Sequence, residues 1–227
     1  MNWFFNFFRS QVGKKAVMAV SGIILFGFVL VHMAGNLKVY AGQQAFNHYA
    51  EGLRTMGAPF FLHGQLLWVA RIVLLVAVLL HIWAAWQLTL TNWRARPIAY
   101  QQREVVQASY AARTMRWGGV IIALFVLFHL AHFTWGFSWA HPDFRPDDPY
   151  HNFVVGFQVW YVSAFYILAQ IFLGLHLRHG LWSMFQSLGC EDQSRHGWRR
   201  TFATVFAVVI AAGNISFPVA VLAGLVK

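Results

Sequence analysis

The chain has 227 residues, of which 59% are hydrophobic, 18% aromatic and 11% charged, against about 25% charged in an ordinary soluble domain. The apolar residues come in unbroken blocks, several reaching the ~20 residues that a helix needs to cross ~30 Å of hydrocarbon. This excludes a soluble globule and predicts an all-α polytopic membrane protein. The excess of 17 Lys and Arg over 7 Asp and Glu then marks cytoplasmic loops, not nucleic-acid binding. A single cysteine, Cys190, excludes a disulfide framework and covalent haem through C-x-x-C-H.

In chain order, residues 1–15 carry Trp3, Phe4, Phe7 and Phe8 beside Arg9, Lys14 and Lys15 and lead into a first span at 16–34. No small-residue cleavage site follows it, so it reads as an anchor helix and not as a removed signal. Residues 35–65 place Phe46, Tyr49, Ala50 and Leu53 at helical spacing, which predicts an amphipathic helix lying on the outer surface. The second span, 66–88, holds Arg71 near its outer end, where an arginine either snorkels to the interface or neutralises a buried anion. The third span covers 117–140. Residues 140–152, with Pro142, Pro146, Pro149, Asp143, Asp147 and Asp148, read as a short irregular outer loop. Spans four and five cover 153–177 and 202–225, the two inner loops are basic, and 1–227 forms one membrane domain without an internal repeat.

Orientation follows from counting basic residues. With the N-terminus inside, the inner face holds twelve: Arg9, Lys14, Lys15, Arg94, Arg96, Arg103, Arg113, Arg116, Arg178, Arg195, Arg199 and Arg200. The outer face holds only Lys38, Arg54, Arg145 and Lys227. That asymmetry puts the N-terminus in the cytoplasm and the C-terminus outside.

Eleven histidines are present, and His32, His81, His129, His132 and His176 fall inside spans, with His179 just beyond the fourth. A buried imidazole can simply hydrogen-bond a neighbouring helix, but four successive spans each carrying one makes function the default reading. Depth sorts them: His32 and His129 at the outer level, His81 and His176 at the inner. His132, one turn beyond His129, suits the outer level slightly better by depth alone. A bis-histidine haem needs one imidazole on each face from two helices of a bundle, so two haems would stack across the membrane. The H-x-x-H pairs resemble half of a di-metal site, but such sites need carboxylates, and none of the five spans contains Asp or Glu. A zinc site of histidines alone, as in a histidine-lined metal transporter, stays open.

Small residues ahead of these histidines, Ser21 with Gly22, Gly118 with Gly119, and Gly174, either let a flat macrocycle approach a helix or pack helices together. Lys14, Arg94 and Arg178 could pair with haem propionates, and they also satisfy the positive-inside pattern.

The motifs SQVGKKAVMAVSG leading into LVHMAGNL, AFNHY, RWGGVIIALFVLFHL and above all LHLRHGLWSMFQSLG resemble the membrane anchor of succinate dehydrogenases and fumarate reductases, in its single-chain, five-helix, two-haem cytochrome b form. The resemblance covers nearly the whole chain. It implies two haem b groups, with His32 and His129 as outer and His81 and His176 as inner axial ligands, His129 being chosen over His132 by the FHL match. His179 would support a propionate or pack in the helix end. The resemblance also implies an FAD-containing flavoprotein and an iron-sulfur subunit as cytoplasmic partners, with succinate chemistry outside this chain. A bacterial cytoplasmic (inner) membrane location follows, and a higher oligomer of the complex stays open.

Electrons would run from the iron-sulfur partner across both haems to a quinone, menaquinone by expectation. Outward movement of each electron is assisted by about 2.3 kcal/mol per 100 mV for a full crossing. In this class the quinone site lies near the outer haem, which points to residues 35–65 and to His48 and Glu51, with Arg71 nearby. A cytochrome b subunit of a formate dehydrogenase or hydrogenase would share the ligand logic but not the LHLRHGLWSMFQSLG stretch.

Overall fold

The computed structural model describes residues 2–95, 110–189 and 196–227. Arg96, Arg103 and Arg195 of the inner loops, and Cys190, lie outside the described residues. Among the described residues, five helical segments are long and apolar enough to cross a membrane: Gln11–Ala41, Gln65–Arg94, Met115–Trp135, Trp160–Ser187 and Gly197–Leu222. The chain is therefore all-helical and built as a multi-pass membrane protein.

A short helix α1 (Asn2–Arg9) exposes Trp3, Phe5 and Phe7, an arrangement suited to the membrane interface. Ser10 then caps α2 (Gln11–Asn36), its Oγ accepting from the Gly13 amide at 2.9 Å. Gly13 admits the turn between them, since a Cβ there would run into the carbonyl of Phe7. Beyond a 3-10 turn (Leu37–Ala41), Gly42 at φ +89° starts α3 (Gln43–Arg54), a backbone angle that favours glycine. Helix α3 falls in the segment expected to form an amphipathic helix, with Phe46 buried and Tyr49 pressed against Gly35 of α2.

Helix α4 (Gln65–Arg94) has only Ala77 and Ala84 buried. Its exposed Leu, Val and Ile side chains suit hydrocarbon, where only backbone groups need internal partners. Helix α5 (Tyr110–His129) passes without interruption into a π-helical segment (Leu130–Trp135) that ends at Gly136, φ +61°. The third span thus stops at Trp135, short of the expected 140.

The fourth span also departs from expectation. Residues assigned to its start belong to a separate helix, α6 (Pro149–Gln158), capped by the Asp148 side chain and with Pro149 in its first turn. The chain breaks at Val159 (φ −76°, ψ 103°), and the spanning helix α7 runs Trp160–Ser187. Phe153, Val154 and Phe157 are buried in protein, so apolar character there reports a core and not lipid. Helix α8 (His196–Leu222) closes the bundle.

Packing divides the spans into two groups. Helix α7 packs most extensively on α8, α2 packs on α4, and α5 packs on α7, while α2 touches α7 and α8. Much of the buried core gathers at one end, around Val39, Phe46, Phe153, Phe157 and Phe217, where α3 and α6 cover the bundle.

Candidate functional site

The four histidines sorted by depth meet in two pairs. His32 of α2 and His129 of α5 have ring centres 5.8 Å apart with planes at 87°. His81 of α4 and His176 of α7 have centres 6.2 Å apart with planes at 62°. An imidazole nitrogen sits about 2.0 Å from a coordinated metal and about 1.2 Å from its own ring centre, so two rings on opposite sides of one metal have centres about 6.4 Å apart. Both pairs fall close to that separation.

The facing rings come from helices that do not pack. Among the described residues, neither α2 with α5 nor α4 with α7 is a closely packed pair, whereas α2–α4 and α5–α7 are. The imidazoles therefore meet from helices that are not close-packed neighbours, with α2 also touching α7. Also among the described residues, no group of three or more His, Cys, Asp or Glu converges as a metal cage would require. A donor set of two imidazoles fits a macrocycle that brings its own four equatorial nitrogens.

Each pair has one histidine whose Nδ1 is held by a hydroxyl on the neighbouring packed helix. Ser21 Oγ of α2 lies 3.2 Å from His81 Nδ1 and donates its single hydrogen to the Val17 carbonyl at 2.7 Å. With that hydrogen on Val17, Ser21 accepts from Nδ1–H, the tautomer that leaves His81 Nε2 bare for a ligand. Tyr166 Oη of α7 lies 3.3 Å from His129 Nδ1 and 2.9 Å from His132 Nδ1. His32 stacks on Phe28, and His176 Nδ1 is buried with no hydrogen-bond partner among the described residues.

Two helices carry a residue at each level, which measures the separation of the pairs. On α7, Tyr166 at the outer pair and His176 at the inner are ten residues apart, about 15 Å at 1.5 Å per residue. On α2, Ser21 at the inner pair and His32 at the outer are eleven apart, about 17 Å. Two independent helices agree.

Other candidates distribute as follows. His132 is fully buried, stacked on Phe128 and 4.9 Å between ring centres from His141, so it lies in the outer core and not opposite His32. His141 is itself buried, its Nε2–H donating to the Asn152 carbonyl at 2.9 Å. Gly22 adjoins His81 and Gly119 adjoins His176, where added Cβ atoms would meet the rings at 3.5 and 3.8 Å. Gly118 only nears Phe172, and Gly174 packs against Ala211 of α8. Gly22 and Gly119 thus lie beside candidate histidines, while Gly174 lies in a contact between helices. Lys14 Nζ donates to Gln87 Oε1 at 3.4 Å, Arg178 Nε donates to Thr204 Oγ1 at 3.1 Å, and Arg94 is exposed. His179 rests edge-on to Trp182.

The outer candidates do not form one cluster. Glu51 accepts from His63 Nε2 at 3.1 Å and from Arg54 at 3.4 Å, and the His63 hydrogen bond foremost holds its carboxyl below the usual range. His48 is exposed. Arg71 is exposed with its guanidinium 5.0 Å from the centre of the Trp68 ring, the arrangement of a snorkelling side chain anchored at an interface. Sequence reading missed Tyr166, His141 and His63. For Tyr166 a signal existed: it precedes His176 by ten residues much as Ser21 precedes His32 by eleven. Comparison with family models, with curated proteins and with solved structures finds no match to this chain.

Proposed function

We propose that this chain is the two-haem cytochrome b membrane anchor of a succinate:quinone oxidoreductase, with His32 and His129 holding an outer haem b and His81 and His176 an inner one. The observation that carries this reading is the double pairing: imidazoles of four spans face each other two by two, at two heights, from helices that are not close-packed neighbours. When bound, the haems supply one-electron carriage between the two membrane faces. His32 with His129 and His81 with His176 would each hold one haem iron, and irons so held would carry electrons without binding oxygen or substrate. Ser21 and Tyr166 orient His81 and His129, and the contact of α2 with α7 holds the two levels apart.

Inner cations, Lys14, Arg94 and Arg178, present positive charge to propionates and to an iron-sulfur partner, whose flavoprotein companion would carry the succinate chemistry. Quinone, menaquinone by expectation, is placed at the outer end near α3. There His48 and Glu51 are the candidate proton donors, with Arg71 nearby, and the hydrogen bond from His63 holds the Glu51 carboxyl below its usual range. Assignment to succinate over formate or hydrogen rests on the LHLRHGLWSMFQSLG stretch.

The test is a reduced-minus-oxidised optical spectrum of the purified chain with haem quantified per polypeptide. Two b-type haems per chain, reduced by succinate through copurifying subunits, are expected. Reduction by formate or hydrogen alone would move the chain to another respiratory enzyme. Absence of haem with bound zinc would replace this reading with a metal transporter.

A further inference from the structure

Helices α2 and α7 share a pattern. Each carries an axial candidate for one site and, ten or eleven residues away, a hydroxyl at the other site. On α2, His32 faces His129 at the outer level while Ser21 holds His81 at the inner. On α7, His176 faces His81 at the inner level while Tyr166 holds His129 at the outer. Each hydroxyl belongs to the helix packed beside the histidine it holds, α2 beside α4 and α7 beside α5.

We propose that Ser21 and Tyr166 are positioning residues, one per site, that fix the Nδ1–H tautomer of His81 and His129 and set each iron's electron affinity separately. This rests on the two-haem reading above. For Ser21, ligation by His81 Nε2 puts hydrogen on Nδ1, and the hydroxyl then accepts it while giving its own hydrogen to the Val17 carbonyl. For Tyr166, ligation by His129 Nε2 requires hydrogen on Nδ1. The phenol then accepts from His129 at 3.3 Å and donates its own hydrogen to His132 Nδ1 at 2.9 Å. His132 is thereby the acceptor that turns the phenol, which accounts for a buried histidine beside the site but not in it. An imidazole that donates from Nδ1 is a stronger donor through Nε2 and favours the ferric iron.

Redox titration and ferric EPR of the full chain carrying its haems, in wild type, Tyr166→Phe and Ser21→Ala, test this. Tyr166→Phe should raise the potential of one haem and shift its EPR signal, while the other stays at its wild-type value. Ser21→Ala should do the same to the other haem. A tenfold change in the one-electron equilibrium is expected for each, which is about 59 mV. Loss of one haem with the other unmoved counts equally in favour. Wild-type chain with two haems whose potentials ignore both variants, or move together, overturns the proposal and leaves the two-haem reading standing. Wild-type chain without haem overturns both.

Discussion

His129 and His132 show how a three-residue choice is decided by side-chain chemistry. In an α-helix they would lie on one face, and depth alone leaves both open as outer ligand. The helix changes character at Leu130, where a π-helical segment begins. Its wider turn rotates less per residue than an α-helix, which sets His132 farther from His129 around the axis than an α-helical step would, in contact with Phe128, His141 and Tyr166. Only His129 remains opposite His32. Replacing His129 with alanine should therefore remove one of two haems per chain. Replacing His132 with alanine should keep both and cost about 1–3 kcal/mol of stability, the usual penalty for disrupting a buried hydrogen-bonded group. Haem content and thermal unfolding of the two purified variants separate these outcomes. A His132→Ala chain that lost a haem while His129→Ala kept both would reverse the assignment.

Elements differed in how far they could be read. The period of Phe46, Tyr49 and Leu53 announced α3, because an amphipathic surface helix alternates at 3.6 residues. Helix α6 was hidden because Phe153, Val154 and Phe157 are as apolar as a span; hydropathy does not distinguish burial in protein from burial in lipid. The Asp148–Pro149 pair was its readable start signal. Asp148 also ties α6 to α3: it accepts from Gln43 at 2.9 Å, from Asn47 at 2.8 Å and from the His151 amide at 3.0 Å. Burial works to raise its pKa, but the hydrogen bonds from Asn47, His151 and Gln43 outweigh it, so the carboxyl sits below its usual range. A depressed folded-state pKa gives stability that is complete above the unfolded value, about 4, and is lost as pH falls through the folded value. Asp148→Ala should therefore lower the stability of the outer cap by about 1–2 kcal/mol at pH 7. The gap between wild type and variant should close below about pH 4. Thermal unfolding in detergent at pH 7 and pH 3.5 measures both; a gap that widened in acid would contradict the clasp.

At the scale of the whole molecule, the spans and the heights of the four histidines were legible because a bilayer imposes length and direction on each segment. The hydroxyl partners were not. Ser21 and His81 are 60 residues apart, and Tyr166 and His129 are 37 apart, so their meeting depends on which spans pack, and α2–α4 with α5–α7 is one choice among several. The same directional logic yields the last prediction. If basic residues set the orientation, α3 and α6 lie outside, and the ends of α4 and α7 bearing Arg94 and Arg178 lie inside. In a Cys190→Ser background, Gln44→Cys on the exposed face of α3 should react with a membrane-impermeant maleimide in intact cells. Arg94→Cys, exposed at the end of α4, should react only in inverted vesicles. The opposite labelling pattern would turn the molecule over and put the His81–His176 pair next to the outer face, where a cytoplasmic iron-sulfur donor could not reach it.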